Sequence, residues 1–274
     1  MGGGRDPGVD FFCVLTGYRS KLNLTDRRCF KIKTAMDRQL YTARLAHARP
    51  LSDRTRHLEF RVAELPKFDF QAGQFVSMKA MHDGHELTRA YSIASPPRSD
   101  NSFDLCLNRV DSGFFSNFLC DLQQGDEVKF HGPHGYFVMK QPVRSSIFVA
   151  TGTGIAPIRG MIHWLLAAPE RHSGGEFWLV FGSRTETDIY YAEEFRQLER
   201  EHHNFHFLPT LSRAGAGWSG ARGYVQEHVS TLAAGHTDCD AYICGLKDMV
   251  IANRDLLIKE LGWERRSVLY ERFD

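Results

Sequence analysis

The sequence has no apolar run near the ~18 residues that a membrane-spanning helix requires. Its longest candidates, Ile147–Ala150 and Met161–Ala168, are short, and the second contains His163. A secretory layout is missing too, because Phe11–Leu15 is too brief for an apolar signal core. The six cysteines (Cys13, Cys29, Cys106, Cys120, Cys239 and Cys244) form no C-x-x-C pair. That spacing argues against an iron–sulfur cluster, which needs closely grouped thiolates. A chain of 274 residues needs no disulfide staples, so reduced thiols in the cytoplasm are expected. Net charge is almost absent, with 34 Lys and Arg against 33 Asp and Glu, so no overall field favours nucleic acid. No H-E-x-x-H occurs and His202-His203 reads as a solvated helix face, so no metal site is expected.

What is present suits two packed cores. At ~150 residues per domain the length gives about two domains. The 42% hydrophobic and 24% charged content excludes a mainly disordered chain, a collagen or a coiled coil. Residues 1–36 lack periodicity and are expected to be a poorly ordered extension, with Met36 a candidate natural start. Residues 37–141 carry short β-rich runs at Tyr41–Arg49, His57–Ala63, Gln74–Met81, Ala90–Ser95, Phe103–Val110 and Glu127–His131. Separated by Pro, Gly and Asp, they predict an antiparallel β-barrel or sandwich. One short helix, Asn117–Leu122, is expected to be capped by Ser116. From Gln141-Pro142 the texture changes to strand, turn, helix. Strands are expected at Ser146–Thr151, Phe177–Phe181, Phe205–Thr210, Cys239–Cys244 and Val268–Phe273. Helices are expected at Ile158–Ala168, Ala192–His202, Tyr224–Ala233 and Asp248–Leu261. Residues 142–274 therefore read as a Rossmann-like α/β domain with a parallel sheet, binding ligands at the carboxyl ends of its strands.

Four motifs carry chemistry. In Arg89-Ala90-Tyr91-Ser92, strand alternation puts Arg89 and Tyr91 on one face. The pair supplies a bidentate anion contact and a stacking ring, and Ser92 can bond a ring edge. Next, Gly113-Phe114-Phe115-Ser116 opens the short helix, where free amides attract phosphate. Third, Gly152-Thr153-Gly154 follows an apolar strand and leads to a helix start suited to a diphosphate; Pro157 stands where a third glycine would complete the dinucleotide fingerprint. Last, Cys244-Gly245-Leu246-Lys247-Asp248-Met249 repeats the strand-to-helix turn, on the same sheet edge as Gly152–Gly154.

In this order the motifs resemble the ferredoxin–NADP reductase superfamily, over about Tyr41 to Asp274. The likeness is greatest to bacterial single-component reductases and to oxygenase reductase modules without their iron–sulfur domain. The resemblance implies an FAD-binding β-barrel followed by an NAD(P)-binding domain. It implies that Arg89 binds the flavin phosphate, that Tyr91 and Ser92 face the isoalloxazine ring, and that Gly113–Ser116 hold the pyrophosphate. Thr153 and Cys244 would border the nicotinamide, with Ser92, Cys244 and Glu271 at the reacting edge. The ending Tyr270-Glu271-Arg272-Phe273-Asp274 is similar to the family's, with Phe273 in place of the plant-type tyrosine. Hydride would pass from the nicotinamide to the flavin, and electrons singly to ferredoxin, flavodoxin or another redox protein, with a monomer as the acting unit. The rival readings are an oxygenase reductase component and a non-catalytic flavin or nucleotide sensor; FMN is a rival to FAD.

The expected nicotinamide cofactor is NADPH, with NADH as the alternative. The second parallel strand ends Gly182-Ser183-Arg184 without an acid, and the third ends Leu211-Ser212-Arg213. Ser212 and Arg213 resemble the pair that grips the 2′-phosphate in NADP-using relatives. Glu186 and Asp188 lie close enough in sequence to neutralise Arg184.

Overall fold

The structure, a computed structural model, describes residues 39–236 and 238–273. The expected extension over residues 1–36 and the terminal Asp274 lie outside the described residues. The first sheet holds β1 (Tyr41–Pro50), β2 (Thr55–Val62), β3 (Phe75–His82), β4 (His85–Ser92), β5 (Ser102–Asn108) and β6 (Glu127–His134), ordered β4-β3-β6-β1-β2-β5. All its pairings are antiparallel. It closes on itself just past β4, where Ile93 bridges Leu105 and the Ala94 amide donates to the Asp104 carbonyl at 2.8 Å. Closure leaves an interior filled by Phe60, Phe68, Phe103 and Phe130, with Phe60 and Phe103 stacked at 5.6 Å. The expected barrel is therefore present.

β4 starts five residues before the expected Ala90. The cause is Asp83-Gly84, both with positive φ, a two-residue turn of the kind that matches strand twist. It lets β3 run directly into β4, with His82 opposite His85. The short helix also differs: α1 spans Phe114–Asp121, is preceded by Gly113 and has no side-chain cap. Ser116 points inward instead. Its hydroxyl accepts from the Val110 amide at 3.1 Å and donates to the Gly113 carbonyl at 3.2 Å, tying the turn closed.

The second sheet holds β7 (Ser146–Thr151), β8 (Phe177–Ser183), β9 (Phe205–Leu211), β10 (Ala221–Arg222), β11 (Asp240–Leu246) and β12 (Val268–Phe273). Its order is β10-β9-β8-β7-β11-β12 and every pairing is parallel. The helices are α2 (Ile155–Leu166), α3 (Ala192–Glu201), α4 (Val225–Gly235) and α5 (Lys247–Asp255). Two apolar clusters lie on opposite faces of the central strands; Ile162 and Phe195 belong to one, Val229 and Val250 to the other. The expected helix Asp248–Leu261 is interrupted, since α5 gives way to a π turn at Leu256–Glu260. Leaving β7, the chain builds β8 on one side and later returns to build β11 on the other. A ligand crevice opens at the carboxyl ends of such a pair. No helix among the described residues is long and apolar enough to cross a membrane.

Candidate active site

The carboxyl ends of β4, β11 and β12 meet at one point. Glu271, on β12, is opposite Cys244 on β11, and the Ser92 hydroxyl at the end of β4 donates to Glu271 Oε2 at 3.2 Å. Burial pushes the Glu271 carboxyl up to about 7, with the Ser92 bond pulling the other way. At neutral pH it can therefore hold or release a proton. Cys244 is fully buried, and that burial, helped by the Glu271 charge, raises its thiol well above the ordinary value. A neutral, covered thiol is a packing group and no nucleophile.

Beside this point the strand-to-helix turns approach closely. A Cβ at Gly154 would fall 2.3 Å from the Cys244 carbonyl oxygen. Gly245 has φ +149°, and a Cβ there would lie 2.5 Å from Thr151 Oγ1. Both positions require glycine. Thr151 Oγ1, the atom a Cβ at Gly245 would crowd, is buried without a hydrogen-bond partner among the described residues. Gly152 and Thr153 are half-buried within a 3-10 turn. Pro157 is buried in the first turn of α2, where it has no amide to offer and acts by packing. Phe273 pairs with Leu246 and is partly buried against the adjoining apolar cluster.

On the barrel, Arg89 and Ala90 are exposed. The Arg89 guanidinium bonds the Thr88 carbonyl at 2.9 Å and meets no carboxylate among the described residues, so it is available to an anion. The Tyr91 ring lies 6.0 Å from that of Phe115, and burial raises its hydroxyl. Phe115 fills the barrel core, so what it and Ser116 can offer a ligand is their backbone amides, which have no acceptor inside the first turn of α1. The Phe114 ring is stacked beneath His82 at 3.9 Å.

A cleft of about 1390 Å³ runs past the ends of β7, β8 and β9. Ser212, Arg213, Arg184, Met249 and Tyr224 line it, as does Gln226, which nothing in the sequence analysis marked. Gln226 Oε1 is a buried acceptor without a partner. Its one signal in the sequence is a position at a glycine turn opening a helix. Arg184 and Arg213 make no ion pair among the described residues. Asp188 Oδ2 instead accepts from the Thr185 hydroxyl at 2.9 Å. Arg222 orders the loop bearing Arg213 by donating to the Ala214, Gly215 and Trp218 carbonyls. No cluster among the described residues could hold a metal ion.

The two sheets are locked together by a buried polar hub. Asp104 accepts two 2.7 Å bonds from Arg98, and Arg159 reaches the Ala94 carbonyl at 2.8 Å. Arg159 also pairs with Glu194 at 2.6 Å, and Glu194 meets His163 Nε2 at 2.6 Å. Although burial opposes ionisation, these partners hold Glu194 down at about 2. Tyr191, in the left-handed region at φ 59°, shares a 2.9 Å hydrogen bond with His57 Nδ1 and lies under the Arg159 guanidinium at 4.7 Å. Burial first of all lowers His57 to about 4, so the ring stays neutral. The hub joins β2, β5 and Ala94, two residues past Ser92, to α2 and the start of α3.

Residues 42–139 match the family of oxidoreductase FAD-binding domains, and residues 148–255 match that of oxidoreductase NAD-binding domains. Ferredoxin–NADP reductase B of Sorangium cellulosum is 42% identical over 241 residues, covering 85% of this chain and 98% of that protein. The phenol 2-monooxygenase reductase component of Pseudomonas sp. (strain CF600) is 32% identical over 209 residues, covering 74% of this chain but 58% of that protein. Among solved structures, the Amycolatopsis cytochrome P450 reductase GcoB superposes with a TM-score of 0.76 at 26% identity, covering 86% of this chain and 70% of that one.

Proposed function

The chain belongs to the ferredoxin–NADP reductase family, and from that premise we propose that it carries electrons from NADPH through FAD to a one-electron carrier of the ferredoxin or flavodoxin kind. The observation that carries this reading is the meeting of Ser92 and Glu271, from two different sheets, beside the glycine turns after β7 and β11.

The residues present fit both cofactors. Arg89 has a guanidinium with no carboxylate partner among the described residues, and the amides of Phe114, Phe115 and Ser116 open a helix, together an anion cradle for the flavin's phosphates. Tyr91 supplies a ring beside it. Across the crevice, Gly152, Thr153, Gly154 and Gly245 let a nicotinamide dinucleotide approach the backbone, with Thr151 Oγ1 and Gln226 Oε1 as unused polar contacts. Ser212 and Arg213, which has no ion pair among the described residues, suit a 2′-phosphate, which favours NADPH. A flavin held by Arg89, Tyr91 and the α1 amides would supply hydride acceptance and one-electron release. Ser92 orients the Glu271 carboxyl and offers its hydroxyl to a ring edge. Glu271, with its raised value, can hold or release a proton near neutral pH, and in the ionised form its Oε2 accepts from Ser92. Cys244 fills the space behind both and excludes water. One chain provides every one of these groups, in keeping with a monomer that divides near Gln141-Pro142 into flavin-binding and nicotinamide-binding parts.

The test is reduction of purified ferredoxin and of flavodoxin by NADPH with catalytic amounts of the protein. Turnover with either supports the proposal. Activity restricted to a purified oxygenase component would favour the second reading, for which the 32% identity to an oxygenase reductase speaks.

A further inference from the structure

The nucleotide cleft has two walls, and its barrel wall carries a cation that the reading above does not use. That wall consists of the β1–β2 loop through Arg54 and the segment from Asn108 to Asp111. Resting on the NADPH reading, we propose that Arg54 is a phosphate contact for the nicotinamide dinucleotide, parked on Asp111 and transferred to the diphosphate when the nucleotide enters.

The position follows from the neighbouring residue. Thr55 is fixed by the Tyr190 hydroxyl at 2.7 Å, and Tyr190 lies two residues beyond Asp188 in the turn after β8. Arg54 therefore lies on the side of that turn, in the middle of the cleft, with Gly152 after β7 on one side and Arg213 after β9 on the other. A dinucleotide laid from the Ser92–Glu271 point to Arg213 brings its diphosphate past this middle stretch.

Availability follows from the hydrogen bonds. Arg54 Nη2 donates to Asp111 Oδ1 at 2.6 Å and to the Arg109 carbonyl at 3.2 Å. The two side chains are 54% and 86% exposed, and an ion pair that open is worth little, so exchanging the carboxylate for a phosphate costs little. The other cation on this wall is committed: Arg109 bonds Asp121 at 2.5 Å and Asn117 at 3.0 Å. A guanidinium matches a phosphate bidentately, as it does a carboxylate, and a diphosphate carries more charge than Asp111.

The test is calorimetric titration of the flavin-loaded protein with NADP+ and with NAD+, in wild type, Arg54→Ala and Asp111→Asn. The assignment predicts about tenfold weaker binding of both nucleotides in Arg54→Ala, the usual effect of losing one charge-assisted contact. Asp111→Asn removes the competing carboxylate and is expected to tighten both by about two- to fivefold. Unchanged affinity in Arg54→Ala overturns the proposal, as does weakening in both variants, the result of a pair that merely shapes the loop. A loss confined to NADP+ overturns the diphosphate assignment in favour of the 2′-phosphate. Wild-type protein that binds neither nucleotide overturns the NADPH reading, and this assignment with it.

Discussion

Ser92 and Glu271 are 179 positions apart in the chain, yet the Ser92 hydroxyl donates to the Glu271 carboxylate at 3.2 Å. The bond crosses from the last residue of a barrel strand to the last strand of the parallel sheet, so it reports directly on how the lobes are set. Replacing Ser92 by Ala is expected to slow flavin reduction by NADPH about 10- to 100-fold with the flavin still bound, because a hydroxyl at the reacting edge matters most in the transition state. Single-turnover absorbance decay measures it; an unchanged rate removes Ser92 from the catalytic set.

Glu271 makes a pH prediction with a definite sign. Its carboxyl titrates near 7 in the folded protein, against an ordinary value of 4.5. Between these values the folded state holds a proton that the unfolded state has released. The contribution to stability is thus complete below about pH 4.5 and is lost as pH rises through about 7. Unfolding free energies from denaturant titrations at pH 5 and pH 8 are expected to differ more in wild type than in Glu271→Gln, by up to about 3 kcal/mol. The same variant should lose a step near pH 7 in the reduction rate. Equal pH dependence in both proteins would show that Glu271 is not the titrating group.

Arg159 tests the hub between the lobes. Arg159→Met leaves Glu194 and Asp104 buried with one cation fewer, a change that costs about 3 kcal/mol when a buried pair is broken. The expected result is a lower unfolding midpoint together with slower flavin reduction, since Arg159 holds the Ala94 carbonyl two residues past Ser92. Loss of stability with a normal reduction rate would separate the hub from the site.

Arg89 should matter to flavin retention and little to folding, because its guanidinium is exposed and makes no ion pair among the described residues. Arg89→Ala is expected to weaken flavin binding about 10- to 100-fold, the loss of one charge-assisted phosphate contact. Flavin content after dialysis is the measurement. A full complement in the variant would assign the phosphate to another group.

The parts of this molecule that follow local rules were legible in the sequence. Ser92, Cys244 and Glu271 were legible because each belongs to a short motif, Arg89–Ser92, Cys244–Met249 and Tyr270–Asp274, whose order resembles one family's; Ser92 ends its strand, whereas Cys244 and Glu271 are opposite each other inside β11 and β12. The Asp83-Gly84 hairpin obeys an equally local rule and was passed over, which displaced the start of β4. The hub was invisible for a different reason. His57 and Tyr191 are 134 positions apart, and nothing around either signals the other. Arg159, within the apolar helix α2, gives no hint in sequence that it crosses to the barrel carbonyl of Ala94. Gln226 likewise became a candidate only when its unpartnered oxygen was found lining the cleft.

Whether NADPH reduces a flavin bound to this chain is read by anaerobic stopped-flow absorbance of the purified, flavin-loaded protein. Complete bleaching by NADPH is expected, faster than by NADH at equal concentration. In Arg213→Ala that preference should fall by about tenfold, the worth of one charge-assisted contact to the 2′-phosphate. A flavin that stays oxidised with both nucleotides would contradict the account, and faster bleaching by NADH would contradict its choice of cofactor.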